Sequence, residues 1–596
     1  MPLVLFQAML FASSPYVEMS TLKKCGFADK RTALCTLYNR AKLLFETKTE
    51  VRPRYLAQAA VLLTFYTTAE SPHAASFWLG RAVKVGKLAE SRSKHNNENG
   101  NKSEELPTWK KRLWWSILIR DRSLCLGLRR EPQMTSRELT FVSTPIEDDE
   151  LTEEICESRV YDKTMKRVLS GIFREQCQLA VLLTAMVSLA SAPNKISSSD
   201  VTNEELTIIL STVSSTKEAL ADWMSFSRLP ARLLEDPPAP VKRIIRITLM
   251  YYYAACIDVA HYEIMLLEKY SLFTGPLYTE RCLDIGNILH TSMAKLIEIM
   301  ECFSQEEPFH GFPIALLAFL EMPLIISAID LKLSPSVSEM EVRRRRMEAM
   351  GKLHSTCGQA YEIADSMGSN TNQLLRLAYD FTRRLFLQRD TGQIGRGEHE
   401  NQCIIKSRRT SSWGDAFLRF PRAYLMISTS VDYYLSVGKL PSPDCLPKFI
   451  RSTLPLGLTM VFEIELPWSL DCVEQRLHQS HHQGNIETSH PTSTGLTLVR
   501  GHDIRCHAGE LQNGRATTDA YMSETSTTIP RRKRKKTSNT NLNYFAMDTT
   551  SNAEPPLDEE LEQNDFPVIG PSICSANPQL SLDERALWSV LEAIGP

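Results

Sequence analysis

The chain has 596 residues, 43% of them hydrophobic and 23% charged, with a formal net charge of −2. These proportions describe a globular protein with a large core and exclude bulk polyanion binding, so any basic partner surface has to be local. The 14 cysteines are dispersed from Cys25 to Cys574 with no pair two residues apart, which argues against a disulfide framework and a closed zinc site.

The opening MPLVLFQAMLFASS resembles a secretory leader but lacks a basic start and a small-residue cleavage site. Further on, 179–192 is too short to span a bilayer, and 314–326 is interrupted by Glu321 and Pro323. A soluble, non-secreted chain without membrane contact is expected.

Apolar residues at three-and-four spacing predict helices over Arg54–Thr68, Ala75–Ala89, Leu113–Leu128, Met165–Ala190, Val241–Leu267 and Arg281–Met300. Strand-like alternation is scarce and no fixed repeat recurs, so an all-α fold is expected. Polar composition predicts loops over Ser91–Pro107 and Gln388–Ser412. Beyond about Leu477, His, Thr, Ser, Asn and Gly replace the apolar stripes. Too little remains there to offset ordering entropy, and disorder is expected. The expected organisation is a helical domain over 1–330, a helical continuation over 331–477, and a mostly disordered tail over 478–596.

The most informative stretch is 109–135, WKKRLWWSILIRDRSLCLGLRREPQMT. On a helix, Trp114, Ile117, Leu118, Asp121, Cys125 and Leu128 share one face. Asp121 then sits in an apolar stripe and needs partners, for which Arg120, Arg122 and Arg112 are the candidates. The favoured reading is that these charges hold helices in register; the other is a small-molecule or anion site.

This helix, through Arg112, Leu113, Trp114, Trp115, Arg120, Asp121 and Arg122, resembles the signature helix of the fungal-specific transcription factor domain, in its cutinase-transcription-factor type. Leu5–Ser14, Leu22–Phe27, Ala41–Phe45, Leu56–Phe65 and Phe77–Leu88 are similar, in order, to the family's opening helices, and Met250–His261 to a later one. The resemblance covers about 1–330 and implies transcription regulation, an expectation of the family being a pathway-specific gene set of metabolic or secondary-metabolite type. Family members usually carry a six-cysteine zinc cluster near the N-terminus. Cys25 and Cys35 have no neighbours to complete one, so no zinc cofactor is expected in this chain. DNA contact is then expected only through a missing N-terminal module or a partner, with homo- or heterodimerisation as a route. The alternative is a helical interaction protein that modulates other zinc-cluster regulators without touching DNA.

Six consecutive cations, Arg531, Arg532, Lys533, Arg534, Lys535 and Lys536, lie in a Ser/Thr/Asn-rich stretch. Mutual repulsion keeps such a run extended, which suits capture by a nuclear import receptor, and a nuclear protein is expected. Direct phosphate contact is the second reading. By contrast, Arg343–Arg346 is flanked by Glu339, Glu341 and Glu348 and is expected to be an ion-paired helix face.

The last 43 residues hold nine acidic side chains and one basic. Ser581 and Glu584 form a capping box before a short run that places Leu587, Trp588, Leu591 and Ile594 on one face. Two readings stand: an activation segment that orders on a coactivator, or a terminal helix packed on the body. The histidines between His478 and His507 match no closed metal site, and Gly392, Gly395 and Gly397 match no dinucleotide fingerprint. No nucleophile elbow or zinc-protease motif is present, and no enzyme activity is expected.

Overall fold

Every regular element among the described residues is helical, and none is a strand. The computed structural model describes residues 1–97, 108–142, 146–147, 149–190, 202–270, 277–306, 311–390 and 411–451. The basic run at 531–536 and the terminal segment with Leu587, Trp588, Leu591 and Ile594 lie outside them. All described residues belong to one compact unit, and a second unit, Gln483–Gln579, is wholly outside them.

The chain opens with α1 (Leu3–Ser13), α2 (Lys30–Glu46), α3 (Pro53–Leu63) and α4 (Ala74–Asn97). Asp29 caps α2 by accepting from Thr32 N at 2.7 Å, and Pro53 starts α3 with its φ already helical. The leader-like first residues form a core helix: Val4, Ala8 and Phe11 are buried as α1 packs on α2 and α3. An aromatic cluster closes this layer. Tyr38 stacks on Tyr66 at 3.5 Å and accepts a hydrogen bond from Trp78 Nε1 at 3.0 Å.

The central helices are α5 (Thr108–Leu128), α6 (Lys163–Ala190), α7 (Asn203–Phe226), α8 (Ala239–Lys269) and α9 (Leu277–Gln305). Next come α10 (Ala315–Lys332), α11 (Val337–Gly358), α12 (Ile363–Asp390), α13 (Trp413–Arg419) and α14 (Pro421–Val437). The first and last layers are tied directly. Arg31 of α2 donates to Gly358 O at 2.7 Å and to both oxygens of Asp365 at 2.6 and 2.8 Å.

Two predicted loops are shorter than composition suggests. α4 runs on to Asn97, seven residues into the polar stretch, and α12 continues to Asp390. Adding residues to an established helix gains one hydrogen bond each, so polar residues extend it readily. Pro323 does not end α10 either. It lies inside the helix, where burial of Leu320, Leu324, Ile325 and Ile326 outweighs the lost backbone bond. Arg343–Arg346 lie on α11 as expected, paired with Glu339, Glu341 and Glu348 on their own helix and with Glu301 of α9 at 3.0 Å. Among the described residues no helix is long and apolar enough to cross a membrane.

Glu321, buried in α10, has one side-chain hydrogen-bond partner among the described residues, the Thr371 hydroxyl at 2.6 Å. That hydroxyl also lies 2.7 Å from Met367 O, and its single proton serves only one acceptor. A protonated Glu321 resolves the arrangement by donating to Thr371, which donates to Met367. Burial accordingly pushes the Glu321 carboxyl up to about 7. Because the folded value is raised, the contribution to stability is full below about pH 4.5 and is lost as pH rises through about 7. Glu321→Gln is expected to flatten this loss and to stabilise the protein at pH 8 by about 3 kcal/mol, with little gain at pH 4.5. Urea unfolding at the two pH values measures it, and an equal effect at both would mean Glu321 stays ionised.

Candidate functional site: the central helix and its arginines

The helix α5 is buried on nearly every side. It packs against α3, α4, α6, α8, α10 and α14. Leu113, Trp114, Trp115, Ile117 and Leu118 are all buried, and so are Arg120, Asp121 and Arg122. A single apolar face, as the spacing suggests, is therefore too narrow a description. Its charged residues lie inside the protein and must find partners there.

At the entry of α5, Trp114 is 1% exposed and stacks on Phe141 at 4.4 Å. Its Nε1 donates to Glu90 Oε1 at 3.2 Å, and the other Glu90 oxygen meets Lys110 Nζ at 3.1 Å. Gly86 of α4 leaves room for the ring: a Cβ there would meet it at 3.2 Å. Arg112 does not reach Asp121; it pairs with Glu154.

At the centre, Asp121 and Arg122 form an ion pair whose side chains are both 1% exposed. Asp121 also accepts from Gln133 N at 2.9 Å and Met134 N at 3.4 Å. Arg122 donates to Met134 O at 3.2 Å and to Thr184 Oγ1 of α6 at 3.1 Å. The pair therefore latches the 129–135 turn and α6 onto α5. Burial raises the Asp121 carboxyl above its usual range, against the pull of Arg122.

Arg120 points elsewhere and finds no carboxylate among the described residues. Its Nε donates to Thr64 Oγ1 at 2.9 Å, Nη2 to Thr64 O at 2.9 Å, and Nη1 to Ser123 Oγ at 3.3 Å. The guanidinium lies 4.2 Å from the Phe65 ring centroid. The favoured sequence reading, charges that hold helices in register, describes Asp121 and Arg122 but leaves the Arg120 charge unbalanced.

Past the end of α5 lies a cluster that sequence reasoning missed. Arg129 donates to Asp258 through two bonds of 2.7 Å and to Asp432 through a third of 2.7 Å, joining α8 and α14. Its backbone sits in the left-handed region at φ 51°, at a cost of about 1–2 kcal/mol that these bonds offset. Burial holds the Asp258 carboxyl above its usual range and keeps His261 low and neutral. His261 Nε2 lies 3.6 Å from Asp432, and neither it nor the Tyr424 hydroxyl has a hydrogen-bond partner among the described residues. The available signal was the pair Asp258 and His261 in an otherwise apolar helix; nothing in the sequence marks Arg129 and Asp432 as their partners.

Among the described residues, two of the cavities beside α5 adjoin Arg129 or Arg120. One of about 40 Å³ is lined by the Arg129 cluster, including Asp258, His261 and Tyr424. The other, of about 80 Å³, is lined by Arg120, Arg130 and mainly apolar residues. Among the described residues, no group of three His, Cys, Asp or Glu side chains could hold a metal ion.

Residues 2–225 match the family described as the fungal specific transcription factor domain. This stretch is a fungal specific transcription factor domain. The domain contains Trp114, the Asp121–Arg122 latch, Arg120 and Arg129, whereas Asp258 and Asp432 lie beyond it.

The chain is 32% identical over 152 residues to a transcription factor of Fusarium pseudograminearum, a match covering 25% of this chain and 16% of that protein. It is 28% identical over 196 residues to cutinase transcription factor 1 beta of Fusarium vanettenii, covering 31% of this chain and 22% of the relative. A third match, 32% identical over 127 residues, is to transcription factor cpaR of Aspergillus oryzae and covers 21% of each. The matched stretches thus span about a fifth of these curated relatives. No solved structure matches the chain.

Proposed function

We propose that the protein regulates transcription by RNA polymerase II of a specific gene set in a metabolic or secondary-metabolite pathway, and that it acts in the nucleus without enzymatic activity. The observation that carries this reading is the fungal specific transcription factor domain over residues 2–225, with transcription factors as its relatives. The helical body receives a signal or a partner. The cations Arg531–Lys536 engage a nuclear import receptor, and the acidic end with Leu587, Trp588, Leu591 and Ile594 docks on a coactivator. DNA is reached through an N-terminal module or a partner that carries one.

Fused to a heterologous DNA-binding domain, the full chain is expected to change reporter transcription, and Trp588→Ala to reduce the effect. An inert fusion overturns the regulatory reading. Separately, alanines at 531–536 are expected to move a fluorescent fusion out of the nucleus; an unchanged nuclear signal refutes that role for the cluster.

A further inference from the structure

We propose that the cavity of about 80 Å³ beside α5 is a binding site for a small monocarboxylic acid, its carboxylate received by Arg120 and Arg130 and its short apolar tail by α10.

Three features point to this chemistry. First, the lining is one-sided in charge: two arginines and no acidic residue, with Leu124, Leu317 and Phe319 among the apolar walls. Second, Arg120 is only 8% exposed, and no described carboxylate balances it. A buried cation without a counterion is costly, and nearby leucines and alanines do nothing to relieve it. Its three hydrogen bonds, all to neutral oxygens of Thr64 and Ser123, leave two of the five guanidinium protons for another acceptor. Third, Arg130 is also without a carboxylate partner among the described residues. It donates to Pro72 O at 3.0 Å and to Ser436 O, while its buried Nε has no partner among the described residues. Burial pulls the Arg120 guanidinium down to about 10 and lowers Arg130 as well. A carboxylate is the planar anion that a guanidinium fork binds best.

The volume bounds the size of the guest. It holds roughly five to eight waters, enough for an acid of about six carbons and too little for a long-chain lipid. The walls also decide what binding would accomplish. Thr64, Arg120, Ser123 and Arg130 come from the transcription factor domain, whereas Ala318, Met367 and Tyr434 come from α10, α12 and α14 beyond it. An occupant would bridge the two and strengthen their contact.

The test is hexanoate titrated into the full chain by calorimetry, with thermal unfolding alongside. Saturable binding is expected, with the unfolding midpoint rising by about 2–5 °C at a hundredfold excess over Kd. Hexan-1-ol and hexanamide are expected to bind at least tenfold more weakly, and inorganic phosphate not to compete. Arg120→Leu should abolish binding. Because Arg120 also holds Thr64, two further variants provide independent readings. Arg130→Gln is expected to weaken hexanoate about tenfold, and Ala318→Leu to block the cavity while leaving both arginines in place. Absence of hexanoate binding overturns the proposal. So do equal binding of the alcohol, competition by phosphate, or undiminished binding by folded Arg130→Gln and Ala318→Leu proteins.

Discussion

Trp114→Ala is expected to cost about 3–5 kcal/mol of stability, measured by the urea midpoint of the full chain. The ring is 1% exposed, stacked on Phe141 and wedged over Gly86, so its removal leaves a cavity with rigid walls. The same change orphans one oxygen of Glu90, leaving its contact with Lys110 at the other oxygen. Trp114→Phe separates the two effects, because it keeps much of the packing and loses the same hydrogen bond. It is expected to fall between wild type and alanine. A loss below about 1 kcal/mol for Trp114→Ala would mean that the ring contributes no packing where α4 meets α5.

Asp121→Ala is expected to be as damaging, again by about 3–5 kcal/mol, because it strands the Arg122 charge in an interior where both side chains are 1% exposed. The damage extends past the pair. Gln133 N and Met134 N lose their acceptor, so the 129–135 turn comes loose, and with it the approach to the Arg129 cluster. A double variant, Asp121→Leu with Arg122→Met, removes both charges and is expected to be more stable than Asp121→Ala alone. Urea unfolding of the three proteins decides the matter. If the double variant is no more stable than Asp121→Ala, the stranded Arg122 charge is not what makes the single change costly.

The central helix shows how far periodicity reaches. The spacing predicts Leu113–Leu128, and α5 ends there but starts five residues earlier, at Thr108. The polar start TWKK carries no apolar stripe, yet Lys110 is buried against Glu90. A stripe reports which residues prefer the interior; it does not report which charged residues the interior accepts. Arg120 and Arg122 make the point sharply. They stand two positions apart, which on a helix turns them about 200° from each other. One faces the 129–135 turn and α6, and the other faces Thr64 and Phe65. Only the packing of those neighbours decides that one arginine is neutralised and the other is not.

The Arg129 cluster was illegible for a different reason. Its members are 129 and 303 residues apart along the chain, and a sequence carries no mark of such pairing. The same holds for Glu321 and Thr371, separated by 50 residues.

The order of apolar and polar residues by itself determined the helical class of this protein, the position of its central helix and the likeness to a transcription factor domain. These are local or collinear properties, and each depends on residues close together in the chain. The tertiary structure alone decided which charges are balanced, which cavity carries two unopposed arginines and where the carboxyl of Glu321 titrates. Those outcomes depend on desolvation and on partners brought from distant helices, and burial becomes definite only once the helices have packed.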